Sequence, residues 1–583
     1  MARSKKARAS GAPTAGVEAN VAAPSPFESL PTELLARICD FMRSSNDDQE
    51  QLLTLRKTSR RLCRVASSVL NRHVALYELG HVDGFINCFH PTRRSIRRGV
   101  EGVKSYSPLT AFLPDDIRTL AVAEQYQVPP NEQTQTDWKR RFAIIRIIES
   151  IGTVLPMFVG MHRFEWRLGE YAPAEIITAL AKCKSLRTLL MQESFARTGS
   201  EYEDEEDNDR RDRFLARRKY PPEIRNLHVK INTSWRAEYQ DRWSNFLRQS
   251  FSPASLASLR TLVLHAVPQV DLAQSNYWEY GPQRKSSYDV DPLLEHGTFP
   301  HLCAFGLRGL RITDGKSLLH FLQRHPTLQA LDIRTDQCRK FWHDVAPEAL
   351  STAPAILPAL QQLSILPDDQ LACTRTLLDG IRPITVLAID MADDGPGMSA
   401  LQKRLDAHFA HTQRIDRLVL FNVKTLGRPQ SFFVKGNASA IATHTPNVSD
   451  LTLFGDAEMA TDGKVQSLSL STTFRNFIAG WPNLRKLTLE LPTTNTGAEK
   501  LQIEARRVAN YLAGLREIPL LETVVIHWSN IRHTFDRGRR DATCMATWRR
   551  AGEGGQAQDI LVSVVDAESK DALGHWPKVW PET

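Results

Sequence analysis

The chain reads as an α/β protein: a small N-terminal module of three helices, followed by a long solenoid of alternating strands and helices. Two observations carry this. One hexapeptide pattern, aliphatic-x-x-aliphatic-x-aliphatic, keeps returning between residues 117 and 526. Ahead of it, the stretch 26–77 holds three short segments whose apolar residues recur with helical period.

The helical module comes first. Leu34, Leu35, Ile38, Phe41 and Met42 make one apolar stripe, and Pro31 sits where a first helical turn tolerates a missing N–H. A second segment opens at Asn46, Asp47 and Asp48. Asp47 and Glu50 have capping-box spacing there, and Leu52, Leu53 and Leu55 supply the apolar side. In the third, Leu62, Val65, Ala66, Val69 and Leu70 form the stripe, with Arg60, Arg64 and Ser67 expected on the opposite face. A module this small is near the lower limit for a self-sufficient core, so it is expected to rest on its neighbour. Leu30-Pro31, at its start, has no place in its own stripe.

The stretches LPTELLARICDFM and QLLTLRKTSRRLCRVASSVL resemble the F-box of the kind found in many fungal proteins. The shared features are an opening Leu-Pro, an acidic residue with paired aliphatics, and an Arg-rich third helix with small residues. The resemblance implies a docking module for the adaptor of an SCF (adaptor–cullin–F-box) ubiquitin ligase. It assigns adaptor contact to Leu30, Pro31, Leu34, Leu35 and Ile38, without dividing them between the contact and the module's own core. The alternative reading of 26–77 is a helical cap on the neighbouring domain.

Next comes a first strand at His73–Leu76, and then a basic stretch with Arg93, Arg94, Arg97 and Arg98 that reads as solvated linker. The hexapeptides begin at residues 117, 161, 186, 224, 259, 302, 328, 360, 384, 415, 448, 465, 484 and 521. In a strand the fourth and sixth positions share a face and the fifth points the other way. Each unit therefore buries two strand aliphatics, and its first aliphatic anchors the entering turn. Helical patterns at Phe142–Ile151, Ala174–Ala181, Ser317–Arg324, Met398–His411 and Leu501–Leu512 alternate with them. Such a strand–helix repeat predicts a parallel sheet backed by helices over 78–526. It resembles an irregular leucine-rich repeat without the usual Asn or Cys ladder position. A doubly wound αβ domain is the alternative.

Two insertions break the rhythm. Residues 192–222 carry the acidic run EYEDEEDND and a following basic cluster, a composition expected to form a solvated loop. Residues 267–298 hold Tyr277, Trp278 and Tyr280 among Gly, Pro and Ser. Aromatics in a polar loop either pack on the body or meet a partner. Past residue 526 the pattern fades; the tail 527–583 includes a β-like DILVSVVD and is expected to cover the end of the solenoid. The first 25 residues, Ala/Ser/Pro-rich with Arg3, Lys5, Lys6 and Arg8, read as a flexible basic tail.

Composition excludes several classes. The formal charge of +8 is small for 583 residues; it permits weak nonspecific attraction to polyanions but does not argue for nucleic-acid binding. The eight cysteines are scattered without a CxxC pair, as for buried thiols in a reducing compartment. No apolar run approaches the roughly 20 residues of a membrane span. A cytoplasmic or nuclear protein without membrane contact is expected. The cluster His81, Cys88 and His90 reads as chance proximity, so no metal is expected.

Two glycine motifs are candidate phosphate sites. GLRITDGKS (309–317) has its first Gly one residue out of register for a P-loop. GPGMSA (395–400) fits GxGxxA, but Asp393 and Asp394 would repel a pyrophosphate and Pro396 removes a donor. With no nucleophile motif besides, the reading is non-enzymatic and without cofactor.

The fifth-position residues expected on the concave surface are Ala121, Glu165, Leu190, His228, Val263, Gly306, Asp332, Ser364, Ala388, Val419, Thr452, Ser469, Thr488 and Val525. This mixed, mostly uncharged set suits a protein partner. The leading expectation is a substrate-recognition subunit: the N-terminal module binds adaptor and cullin, and a protein substrate meets Tyr277, Trp278, Tyr280, His228 and Asp332. The alternatives are a repeat scaffold without a ubiquitin link and a nucleotide-using enzyme at 395–400.

Overall fold

The computed structural model describes residues 29–43, 59–76, 114–123, 151–167, 174–194, 219–233, 250–268, 289–334, 356–365, 382–390, 414–423, 437–455, 472–492, 498–529, 542–550 and 557–565, with a few single positions besides. They form a mixed α/β body around one sheet of 16 strands, in which strand order equals chain order. From β1 (His73–Leu76) to β14 (Thr523–Ser529) every neighbouring pair is parallel. Each unit therefore meets only the units before and after it.

The register explains the hexapeptide. Fourth and sixth positions align from strand to strand: Leu120 of β2 (Thr119–Ala123) pairs with Phe164 of β3 (Arg163–Arg167), Phe305 with Leu331, and Leu451 with Leu487. These residues enter one continuous core with the helices, among them Ile176 and Leu180 of α3 (Ala174–Leu180), Leu318 and Phe321 of α6 (Gly315–Arg324), and Val508 of α9 (Ala498–Ala513). Burying one such aliphatic contributes about 1.5–3 kcal/mol, so the repeated pairs dominate the fold's stability.

The backbone repeats as closely as the side chains. In most units the first-position N–H donates to the carbonyl three residues earlier, at 3.0–3.3 Å, as Met161 does to Phe158, Leu484 to Trp481 and Leu521 to Ile518; Ile384 instead reaches back two residues, to Arg382 at 2.9 Å. The next two N–H groups share one carbonyl of the preceding unit: Gln329 and Ala330 both donate to Cys303, and Arg485 and Lys486 both to Ser449. The residue that closes each turn is buried, as with Phe158, Cys183, Phe299, His325, Leu357, Thr445, Trp481 and Ile518. Neighbouring turns bond through it. Trp481 Nε1 donates to Thr445 Oγ1 at 3.1 Å, and the Phe299 N–H donates to His325 Nε2 at 2.9 Å.

Strands β2 through β14 fall on expected hexapeptides. Across the stretch that holds the unit at 465–470, β12 (Asp450–Gly455) pairs directly with β13 (Lys486–Pro492), Asp450 against Lys486. The hexapeptide itself lies outside the described residues, as do the helical patterns at 398–411 and most of 142–151. One unit escaped the pattern. β1 pairs with β2 so that Asn71 takes the first position, and this residue is buried but not aliphatic.

The second insertion is shorter than the composition suggested. β6 runs over Thr261–Pro268, and α5 occupies Asp291–His296 with Val290, Leu293 and Leu294 buried. Their i, i+3, i+4 spacing is a helical stripe that the surrounding polar residues had masked. At the first insertion, β4 extends over Thr188–Ser194 and β5 over Asn226–Thr233, while Tyr220 is buried against Phe251 with centroids 5.2 Å apart. At the far end, β15 (Ala542–Arg550) and β16 (Ala557–Val565) add antiparallel strands, so the tail prolongs the sheet. Ala546 and Trp548 of β15 join the core, and α9 packs against both strands.

The N-terminal module has a core of its own. Leu35 and Cys39 of α1 (Thr32–Arg43) meet Leu52 and the Leu62, Val65, Ala66 and Val69 face of α2 (Arg60–Asn71). The middle segment is described only at scattered positions. Helix α2 starts at Ser59, whose side chain accepts the Leu62 N–H at 3.2 Å, and it runs straight into β1. Ser67, expected on the polar face, is buried. The reason is that α2 has two packed sides: the module's core on one, and on the other the turn at Pro114–Asp116, where Ser68 Oγ donates to Asp116 Oδ1 at 2.9 Å.

Candidate functional site

Helix α1 sorts its predicted contact residues by environment. Pro31 and Leu34 are exposed, Leu34 at 46%; Leu30 and Ile38 are half-buried. Leu35 is 0% exposed and belongs to the module's core, so it is removed from the contact set. Adjacent helical positions diverge by about 100°, which is why Leu34 and Leu35 part company. The start of α1 is held by Arg61: its Nη2 donates to the Leu30 carbonyl at 2.6 Å and to Thr32 Oγ1 at 3.3 Å. Pro31 and Leu34 are thereby presented from a fixed helix start. An exposed leucine is unremarkable alone; with exposed Pro31 nearby it makes a small apolar face on the module.

The expected substrate surface comes out differently. In the sheet's middle strands the fifth positions are closed: Val263, Asp332, Ser364, Val419 and Thr452 are buried, and His228 nearly so at 7%. Val263, Ala304, Ala330, Val386, Ala388 and Val419 even form a second apolar cluster on this face. Asp332 is the clearest case. Arg308 Nε of β7 (Ala304–Arg308) donates to Asp332 Oδ2 of β8 (Ala330–Arg334) at 2.5 Å, with both side chains shielded from water. Gly306, which pairs with Asp332, lies on the same face, where a Cβ would press on the Val263 side chain of the other neighbouring strand. His228 and Asp332 are therefore wall residues and not open contacts. Toward the ends of the sheet Ala121, Thr488 and Val525 are half-exposed. Tyr277, Trp278 and Tyr280 lie outside the described residues.

The glycine motif at 309–317 is a structural turn. Gly309 has φ 61°, and a Cβ there would strike the Ala266 carbonyl. The N–H groups that a phosphate would need are already taken by carboxylates. Asp291 Oδ2 accepts from Thr313 N at 2.7 Å, from Asp314 N at 2.9 Å and from Thr313 Oγ1; Asp314 caps α6 through Lys316 N at 3.0 Å. Two carboxylates where an anion would sit exclude a phosphate at this turn. GPGMSA lies outside the described residues.

Among the described residues no group of three His, Cys, Asp or Glu side chains is arranged to hold a metal ion, and no helix is long and apolar enough to cross a membrane. Burial pushes the Cys183 thiol up to about 11, leaving it protonated and inert at neutral pH. His325 is lowered by burial, against a raising contribution from its bond to the Phe321 carbonyl. Since Nε2 accepts from Phe299, Nδ1 carries the proton and donates to that carbonyl at 2.6 Å. It is a structural histidine.

What sequence reasoning passed over is the second position of each unit. In β1–β6 these residues are Arg72, Arg118, His162, Arg187, Arg225 and Arg260. The hexapeptide pattern leaves this position unconstrained, so its run of basic residues drew no notice.

The chain matches no protein-family model, and a comparison with curated proteins gives no significant match.

Proposed function

We propose that the protein is a substrate-recognition subunit of an SCF-type ubiquitin ligase. In this reading the N-terminal module is an F-box that binds the adaptor, and so the cullin, through Pro31 and Leu34, with Leu30 and Ile38 at the margin. The strand–helix sheet is a leucine-rich-repeat-like body that holds a protein substrate at a fixed separation from the adaptor. The protein contributes two interfaces, and ubiquitin-transfer chemistry belongs to its partners.

The observation that carries the reading is the split within α1: Leu35 is consumed by the module's core, while Pro31 and Leu34 beside it stay exposed. The run from α2 into β1 adds to it, since a covalently continuous, hydrogen-bonded junction suits a rigid spacer. The test is affinity capture of the tagged full chain followed by mass spectrometry. Adaptor and cullin peptides are expected above background. Their absence, with other proteins captured reproducibly, would favour a repeat scaffold without a ubiquitin link.

A further inference from the structure

The leading edge of the sheet, where chain enters each strand, differs sharply between its two halves. From β2 to β6 the second positions are Arg118, His162, Arg187, Arg225 and Arg260. From β7 onward the same row reads Cys303, Gln329, Gln361, Thr385, Asp416, Ser449, Arg485 and Glu522, mixed in sign and mostly neutral. The backbone fixes the spacing of the row. Each second-position carbonyl accepts two N–H groups from the next unit, as Arg187 does from Arg225 and Asn226, and Arg225 from Arg260 and Thr261. Adjacent rungs are therefore one strand apart, and Arg118 to Arg260 spans about 19 Å, four intervals of about 4.8 Å.

Arg118, His162, Arg225 and Arg260 are exposed and Arg187 is half-exposed. Arg118 Nη1 is turned to the Gly160 carbonyl at 3.0 Å, and His162 Nδ1 to the Ser185 carbonyl at 3.1 Å. Arg187 meets Glu223 at 2.6 Å. Among the described residues the guanidinium groups of Arg225 and Arg260 have no carboxylate partner. Beside the row, the turn that leads into β3 exposes Met157 and Val159, at 41% and 54%. An ordered basic row flanked by exposed aliphatics is complementary to a chain that carries both carboxylates and apolar side chains.

We infer that this ledge, from Arg118 to Arg260 with Met157 and Val159 beside it, binds an acidic, aliphatic-containing segment of a protein partner in extended form. About six extended residues cover the span, at roughly 3.3 Å each. A protein is favoured over a nucleic acid because the exposed large apolar residues of the described chain, Met157 and Val159 at this edge among them, are not aromatic and give bases no surface on which to stack. Within the function proposed above, the ledge supplies the chemistry of the substrate; it is independent of whether α1 binds an adaptor.

The experiment is fluorescence anisotropy of the full-length protein with the labelled peptide Glu-Asp-Glu-Leu-Asp-Leu-Glu-Asp, compared with its Lys/Arg counterpart and with single-stranded oligonucleotide. Saturable binding of the acidic peptide that weakens as salt rises is expected. Arg225→Glu with Arg260→Glu should weaken it at least tenfold with an unchanged Tm, while Arg485→Glu, on the other half of the edge, should leave it intact. Absence of saturable binding, equal binding by the double variant, or stronger binding of the oligonucleotide would overturn the inference. Binding that emerges only after deletion of 199–212 would assign the ledge to the chain's own acidic run, which also overturns it. Adaptor capture by the Arg225→Glu, Arg260→Glu variant should match wild type, so a failure here is separable from a failure of the adaptor reading.

Discussion

The fifth-position face of the sheet and its leading edge are built by the same strands, yet one is closed and the other open. On the face, Val263, Asp332, Ser364 and Val419 are buried, and charge there is neutralised in place, as Arg308 does for Asp332. On the edge, Arg225 and Arg260 stand in solvent. A charge out of water must have its partner built in, or the structure loses several kcal/mol; a charge in water costs almost nothing to leave available. The same contrast recurs one residue apart in α1, between buried Leu35 and exposed Leu34. Residues on the closed side serve the fold, and residues on the open side are free to serve a partner.

The largest effect should come from the closed face. Asp332→Ala would remove the carboxylate that Arg308 Nε meets in a site shielded from water, and a loss of about 3–5 kcal/mol is expected. Urea unfolding would measure it, and Asp332→Asn, which keeps an acceptor, should lose less. A midpoint unchanged by Asp332→Ala would mean that water reaches the pair and that the face is open.

Next in size is Leu35→Ala, which removes a side chain from the module's own core and should cost about 2–5 kcal/mol. Hydrogen exchange resolves this locally: the α1 amides should lose protection while those of β5–β8 keep theirs. Loss of protection throughout the chain would show that module and sheet unfold as one unit.

A smaller effect is expected from His325. Its ring is neutral in the fold, wedged between Phe299 and Phe321 at centroid distances of 5.8 and 4.1 Å. Protonation would put an N–H against the Phe299 N–H, with Arg324 adding repulsion. Its folded pKa lies below the unfolded value of about 6.5, so the unfolded chain binds the extra proton first. The stabilisation is present above pH 6.5 and lost as the pH falls below it. Unfolding midpoints at pH 7.5 and 5.5 should differ less for His325→Leu than for wild type; an equal difference would assign the pH dependence to other groups.

Much of this architecture was legible because burial at the first, fourth and sixth positions is periodic and aliphatic side chains satisfy it. The misses are also physical. Asn71 holds a first position without being aliphatic; it is the last residue of α2, two before β1 begins, so helical and not hexapeptide patterning governs it. The turn-closing residues were overlooked because Phe158, Cys183, His325 and Thr445 share burial and not chemistry. The fifth positions of the middle strands were assigned to an open surface from strand alternation alone. Alternation gives the face on which a side chain lies, but whether that face is wet depends on what packs around it, as Arg308 does around Asp332. For the same reason the five candidates Leu30, Pro31, Leu34, Leu35 and Ile38 could be named from sequence but not divided.

That division is most directly tested by titrating purified adaptor against the full-length protein and its Leu34→Ala variant. Saturable binding to wild type is predicted, with at least tenfold weaker binding to Leu34→Ala, about 1.4 kcal/mol or more, and the two proteins melting at the same temperature. Adaptor that fails to bind wild type, or binds Leu34→Ala equally well, would contradict the assignment of Leu34 to an adaptor contact.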